Sequence, residues 1–96
     1  MEAAAEMTLD SVIARLRSDN KAAPLAEITI YATAFLEWRE AAANIQEHGT
    51  VVAHPRTAAP IDNPYLKVRA AAEKTMTGCK RVVRTNALWS EVSGGK

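Results

Sequence analysis

Apolar positions along this chain fall into three helical rhythms separated by turn-forming breaks. Leu9, Val12, Ile13 and Leu16 share one helix face, which predicts a short helix over about residues 8–18. Thr8 is placed as its N-cap, with Asp10 and Ser11 in the first turn. Arg15 and Arg17 lie near the other end, where cations suit the helix dipole. Asp19 and Asn20 then make a turn. The second rhythm starts near Pro24 and runs to about His48, with Gly49 as the natural stop. That predicts a helix of about 37 Å at about 1.5 Å per residue. Ile28, Tyr31, Phe35, Trp38, Ala42 and Ile45 recur every three or four residues, a narrow coiled-coil-like seam. Glu27, Glu37, Arg39, Glu40 and Glu47 occupy the opposite face, so the seam requires a helical neighbour.

Residues 49–62 read as a connection. Thr50, Val51 and Val52 have strand character, but Pro55 and Pro60 limit any sheet. A loop of this length between packed helices is unusual and hints at a task of its own. Asn63-Pro64 opens the third helix, as an N-cap followed by proline in the first turn. This helix is predicted over about residues 63–84, with Tyr65, Val68, Ala72, Met76, Cys79 and Val83 near one face. Gly78 weakens its middle by about 1 kcal/mol relative to alanine, which allows a bend or an early end there. Residues 84–89 continue irregularly or as a further turn, and Ser93-Gly94-Gly95-Lys96 reads as a flexible tail. The expected fold is all-α, a single domain over residues 1–96. Its two long helices form a hairpin that the short first helix partly covers.

Composition sharpens this picture. Aromatic residues make up only 5% of the 96, and much of the apolar content is alanine. A lone chain of this kind has a thin core, so a partner or further copies of itself are expected. There is no internal repeat. No apolar run is long enough to span a membrane, and Met1–Met7 lacks the basic and apolar regions of a signal peptide. The single Cys79 forms no internal disulfide, which fits the cytoplasm. Charge is divided unevenly. Residues 1–62 hold five basic and nine acidic residues, and residues 63–96 hold seven basic and two acidic. Such a split marks an anionic partner at one end, or mutual attraction of the two halves.

Catalytic chemistry finds little support. His48 and His54 lie beside turns with no convergent ligands, so no metal site and no cofactor are expected. Glu37 and Glu40 are one turn apart on a solvated face, without a cleft to tune them. Cys79 has Lys80 and Arg81 beside it, but its place on the apolar stripe reads as core. No phosphate loop, dinucleotide fingerprint or nucleophile elbow is present. What remains is binding. Lys80, Arg81 and Arg84, with Lys74, are the densest basic cluster and a candidate DNA contact that Tyr65 and Trp89 would flank. Arg15, Arg17 and Lys21 form a second candidate edge. For each cluster the plainer reading is a solvated helix face.

One longer pattern resembles a known family. It comprises the run Tyr31-Ala-Thr-Ala-Phe-Leu-Glu-Trp38, then Ile45-Gln-Glu-His-Gly49, then Val51-Val52. Asn63-Pro64-Tyr65-Leu66-Lys-Val68-Arg69 follows, and then an alanine-rich helix. This order and spacing, over about residues 25–84, resembles the small subunit of the DNA-packaging terminase of tailed phages and gene transfer agents. The resemblance implies a non-enzymatic helical hairpin that assembles as a ring, commonly of about eight to eleven copies joined by one repeated interface. Such a ring engages double-stranded DNA and delivers it to the large subunit, which holds the ATPase and nuclease, in the host bacterial cytoplasm. Ile28, Tyr31, Phe35, Trp38 and Ile45 are then the expected oligomer interface. Many small terminases carry an N-terminal helix-turn-helix domain. Residues 1–24 are too short for one, so DNA contact is expected to be mostly to phosphates. After the third helix the chain also departs from the family's usual Leu-Gly-Leu-like ending, with Thr85-Asn86-Ala87-Leu88-Trp89. A different class also fits a basic helical protein: a dimeric transcription regulator or antitoxin-like DNA-binding protein. An enzyme using Cys79 or the histidines is the third reading.

Overall fold

The computed structural model describes residues 7–92. It holds four helices and one hairpin: α1 (Leu9–Asp19), α2 (Leu25–His48), β1 (Val51–Ala53), β2 (Pro60–Asp62), α3 (Tyr65–Gly78) and α4 (Asn86–Val92). The expected flexible tail, residues 93–96, lies outside the described residues.

Local chemistry sets the boundaries. At the start of α1 the Thr8 hydroxyl accepts the Ser11 N–H at 3.1 Å. The Ser11 side chain accepts the Thr8 N–H at 3.0 Å, completing a reciprocal capping box. The 24-residue α2 stops at Gly49, whose N–H donates to the Ile45 carbonyl and whose φ of 86° favours glycine. At the start of α3, Pro64 is already helical, and the Asn63 side chain accepts the Tyr65 N–H at 2.9 Å. The Asn63 amide also donates to Asn44 Oδ1 and to the Gly49 carbonyl. One buried side chain thus ties the end of α2 to the beginning of α3.

These ties run α2 and α3 antiparallel. Near one end Asn44 meets Asn63. Midway the Trp38 indole donates to Glu73 at 2.8 Å. Near the other end Glu27 accepts the Arg81 N–H, just beyond α3. The α1 helix packs against α2 and α4, Trp89 of α4 reaches the hollow between α2 and α3, and the Arg15 guanidinium pairs with Glu91. Phe35, Leu16, Ile28, Leu88 and Val12 are the largest fully buried side chains. The Phe35 and Trp38 rings meet Trp89 edge-on, with centroids 4.8 and 5.0 Å away.

Three expectations change. The connection over 49–62 folds into a two-stranded antiparallel hairpin, pairing Val51 with Asp62, Val52 with Ile61 and Ala53 with Pro60. Pro60 is compatible with it because a two-stranded ribbon leaves one hydrogen-bonding side of each strand free. The third helix ends at Gly78 rather than at residue 84. Past the glycine, Glu27 and Asn20 take up the backbone N–H groups that a helix would have used. The buried position therefore passes from Val83 to Val82, and Val83 is exposed. Finally, residues 86–92 form α4, whose Leu88 and Trp89 pack into the core. Trp89 is thus a core residue and does not flank a basic cluster.

Candidate nucleic-acid interface

Residues 79–85 form a non-helical strap between α3 and α4 that crosses the N-terminal end of α2. Asn20, in the turn between α1 and α2, holds it. Its Oδ1 accepts the N–H groups of Val83 at 3.0 Å and Arg84 at 2.7 Å. Its Nδ2 donates to the Arg84 carbonyl at 2.9 Å and to the Leu16 carbonyl at 3.0 Å. The Arg84 N–H and C=O thus both meet one side-chain amide, and the Val83 N–H joins them on its oxygen. Asn20 is buried and all its hydrogen-bonding capacity is directed at backbone, so the strap is set rather than loose.

This clamp joins two basic segments that lie more than sixty residues apart in sequence. Arg17 and Lys21 flank Asn20 on the α1 side and line a shallow hollow with it. Arg84 is bonded through its backbone to the same Asn20, and Arg81 through its N–H to Glu27 at 2.6 Å. Lys80 precedes Arg81 in the strap. Lys74 borders a cleft with Pro24, Glu27 and Gly78. The side chains of Arg17, Lys21, Lys74, Lys80, Arg81 and Arg84 are exposed. Among the described residues, no carboxylate pairs with any of these six. Asp19 and Glu27 are the acidic residues built into this end. Arg15 is different: its guanidinium is engaged by Glu91, so it braces α1 against α4.

The seam residues go elsewhere. Ile28, Tyr31 and Phe35 are buried in the core of a single chain, as is Ile45 near the hairpin, and Trp38 is half-buried against Glu73 and Trp89. Within the chain, Ile28, Tyr31 and Phe35 share one cluster with Leu16 of α1, Met76 of α3 and Leu88 of α4. Sequence reasoning missed the roles of Asn20, Leu88 and Trp89. Asn20 read as an ordinary turn residue, and the seven-residue α4 is too short to announce itself by periodicity. The large exposed apolar residues of α2 are instead Leu25, 54% exposed, and Ile30, 52% exposed.

The chemistry of the remaining candidates is quiet. Burial pushes the Cys79 thiol above its ordinary range, and the nearby Glu27 carboxylate adds to the effect. Its Sγ–H donates to the Thr75 carbonyl at 3.4 Å, so it is a packed thiol and not an activated one. His54 Nδ1 accepts the Arg56 N–H at 3.1 Å and the Thr57 N–H at 3.4 Å, which organises the hairpin tip. His48 lies 4.0 Å from Glu47 on the surface. Glu37 and Glu40 are on the exposed face of α2. Among the described residues no three His, Cys, Asp or Glu side chains gather as a metal site, and no helix is long and apolar enough to cross a membrane.

Fold and site together define a small helical protein whose most distinctive surface is a cationic end held in place by a buried amide. The chain belongs to the family described as phage terminase, small subunit, whose sequence model matches residues 5–82. No curated protein and no solved structure matches it. Membership gives it a role in phage DNA packaging and places it in a non-catalytic family whose partners are the large subunit and DNA. The match ends at Val82, so the second half of the strap and α4 lie beyond it.

Proposed function

We propose that this terminase small subunit grips double-stranded DNA with its cationic end and acts as a ring-forming oligomer of about eight to eleven copies. In this reading it presents the genome to the large subunit and regulates that subunit's ATPase and nuclease, in the cytoplasm of the host bacterium. The convergence of Arg17 and Lys21 with Lys80, Arg81 and Arg84 through Asn20 carries the DNA part of the reading. Cations held close together on a rigid frame suit a phosphate backbone, whose binding is driven by counterion release. Lys74 extends the same surface. Arg15 belongs to it only if its pair with Glu91 opens.

For the oligomer, exposed Leu25 and Ile30 on α2 are the contact we favour, with half-buried Trp38 at the margin of the original seam. Leu25 and Ile30 lie about 140° apart around α2 and line different hollows, so they belong to two surfaces, and a heterologous ring interface brings two different surfaces together.

Two measurements test the reading. Light scattering after size exclusion should give the mass of many copies, and Leu25→Glu with Ile30→Glu should reduce it to that of one chain with the helical signal retained. DNA binding followed by fluorescence anisotropy should weaken steeply with salt, and Arg17→Glu with Arg84→Glu should abolish it. A stable dimer with tight, sequence-selective DNA binding would instead favour a transcription regulator. Charge-reversed protein that binds DNA as before would sink the proposed surface.

A further inference from the structure

Val83 is 72% exposed, the most exposed large apolar residue among the described residues. It is also held firmly. Its own N–H and that of Arg84 are bonded to Asn20, and the Arg81 N–H is bonded to Glu27. Its neighbour Val82 points into the core and is buried. In this non-helical strap Val82 is buried and Val83 is exposed, and the Val83 and Arg84 N–H groups converge on one Asn20 oxygen. A flexible loop would let an apolar side chain fold back; this one is fixed facing solvent. Lys80, Arg81 and Arg84 flank it, and Arg17 and Lys21 stand across the Asn20 clamp. The surroundings call for a polyanion, and the tip calls for an apolar contact.

We infer that the strap is a wedge for the minor groove of double-stranded DNA. Val83 seats against the deoxyribose walls, and Arg81 and Arg84 reach along the groove and to the phosphates on either side. This rests on the DNA reading above and adds how the DNA is held. The major groove is wide enough for a helix or a two-stranded ribbon. A single non-helical segment with one short branched side chain at its surface is thinner than either and matches the narrow groove, where the negative potential also attracts arginine. Valine is too short to part stacked bases deeply, so the wedge holds DNA by shape and charge and reads groove width more than base identity. Narrow A·T-rich tracts are its best targets.

The test uses the full chain, binding to a fluorescent duplex with an A·T-rich centre, and the variants Val83→Ser and Arg84→Gln. Val83→Ser changes an exposed side chain, and unchanged near-ultraviolet circular dichroism of Trp89 confirms the fold. It should weaken binding about tenfold and leave the salt slope unchanged, because no phosphate contact is lost. Arg84→Gln should weaken binding and lower the salt slope by about one. A minor-groove drug such as netropsin should compete with the protein. If DNA binds but Val83→Ser stays within about twofold of the parent and netropsin has no effect, the wedge is wrong and the cationic surface stands. If the parent chain binds no duplex at all, the DNA reading fails, and the wedge with it.

Discussion

The side chain of Asn20 hydrogen-bonds both the N–H and the C=O of Arg84, as a neighbouring strand would. One amide thereby closes a loop of more than sixty residues and fixes the path of the chain between α3 and α4. Asn20→Ala would leave the Val83 and Arg84 N–H groups and the Arg84 carbonyl without these partners. Partly buried groups orphaned in this way cost about 1–3 kcal/mol each when water cannot replace the bond, and the strap can move to recover some of that. A loss of about 2–4 kcal/mol is expected, read from urea denaturation. Amide exchange at residues 83 and 84 should accelerate more than that of α2. Slow exchange at both positions in the variant would mean that the clamp contributes little.

Trp89 fastens α4. Its indole N–H donates to the Tyr31 hydroxyl at 3.0 Å, and its ring is edge-on to Phe35 and Trp38. Tyr31→Phe removes only the hydroxyl and should cost about 1 kcal/mol. Trp89→Ala removes the ring and should cost about 3–5 kcal/mol. A seven-residue helix has no stability of its own, so α4 should melt in Trp89→Ala before the rest of the protein unfolds. Amide exchange over residues 86–92 measures this. Protection there equal to that of α2 would show that α4 is held by other contacts.

How much of this was legible in the sequence depended on the range of the interaction. The α1 and α2 boundaries, the Asn63 contact to the start of α3 and the helix stop at Gly49 are set by residues within a few positions, and the pattern placed them within a residue or two. The seam on α2 was also read correctly as apolar. Its covering was not, because Leu88 and Trp89 come from the far end of the chain and Ala32, Ala34 and Ala41 widen the buried surface unseen. Alanine satisfies either face of a helix, so a narrow stripe of large residues understates how many neighbours α2 has. The end of α3 depended on a competition between an extra turn of helix and the bonds offered by Asn20 and Glu27, some fifty to sixty residues distant. Gly78 marked the weak point, but neither competitor could be located from spacing. The candidate DNA surface was visible as two separate lists of cations. Only the fold joins them, and it withdraws Arg15 into its pair with Glu91.

Cys79 should make stability fall at alkaline pH. Its thiol is raised above the ordinary 9.0 by burial and then by Glu27. The folded protein thus keeps its proton where the unfolded chain has lost it. Between the two values the native state binds more protons, so stability declines as pH rises through that interval and is unaffected below it. The stability difference between the parent and Cys79→Ala should therefore shrink above about pH 9 and be constant near neutrality. Alkylation by iodoacetamide near pH 8 should likewise be slow until denaturant is added. Fast alkylation of the native protein would contradict the packed thiol.

Ala58, at the hairpin tip, has a φ of 61°, in the left-handed region where a Cβ crowds the following carbonyl. The tip is held by backbone bonds in both directions, His54 N–H to the Ala59 carbonyl and Ala58 N–H to the His54 carbonyl, each 2.8 Å. His54 Nδ1 reinforces them by accepting two further N–H groups. The strain is therefore imposed by the closure of the loop. Left-handed alanine costs about 1–2 kcal/mol relative to the right-handed form, and glycine removes that cost while adding about 0.5–1 kcal/mol of unfolded-state entropy. Ala58→Gly should stabilise the protein by about 0.5–1 kcal/mol. Ala58→Val, with a branched side chain at the same φ, should destabilise it. Paired urea titrations of the two variants decide the matter, and if glycine at 58 lowers the midpoint, the left-handed turn is not the conformation that this loop holds in solution.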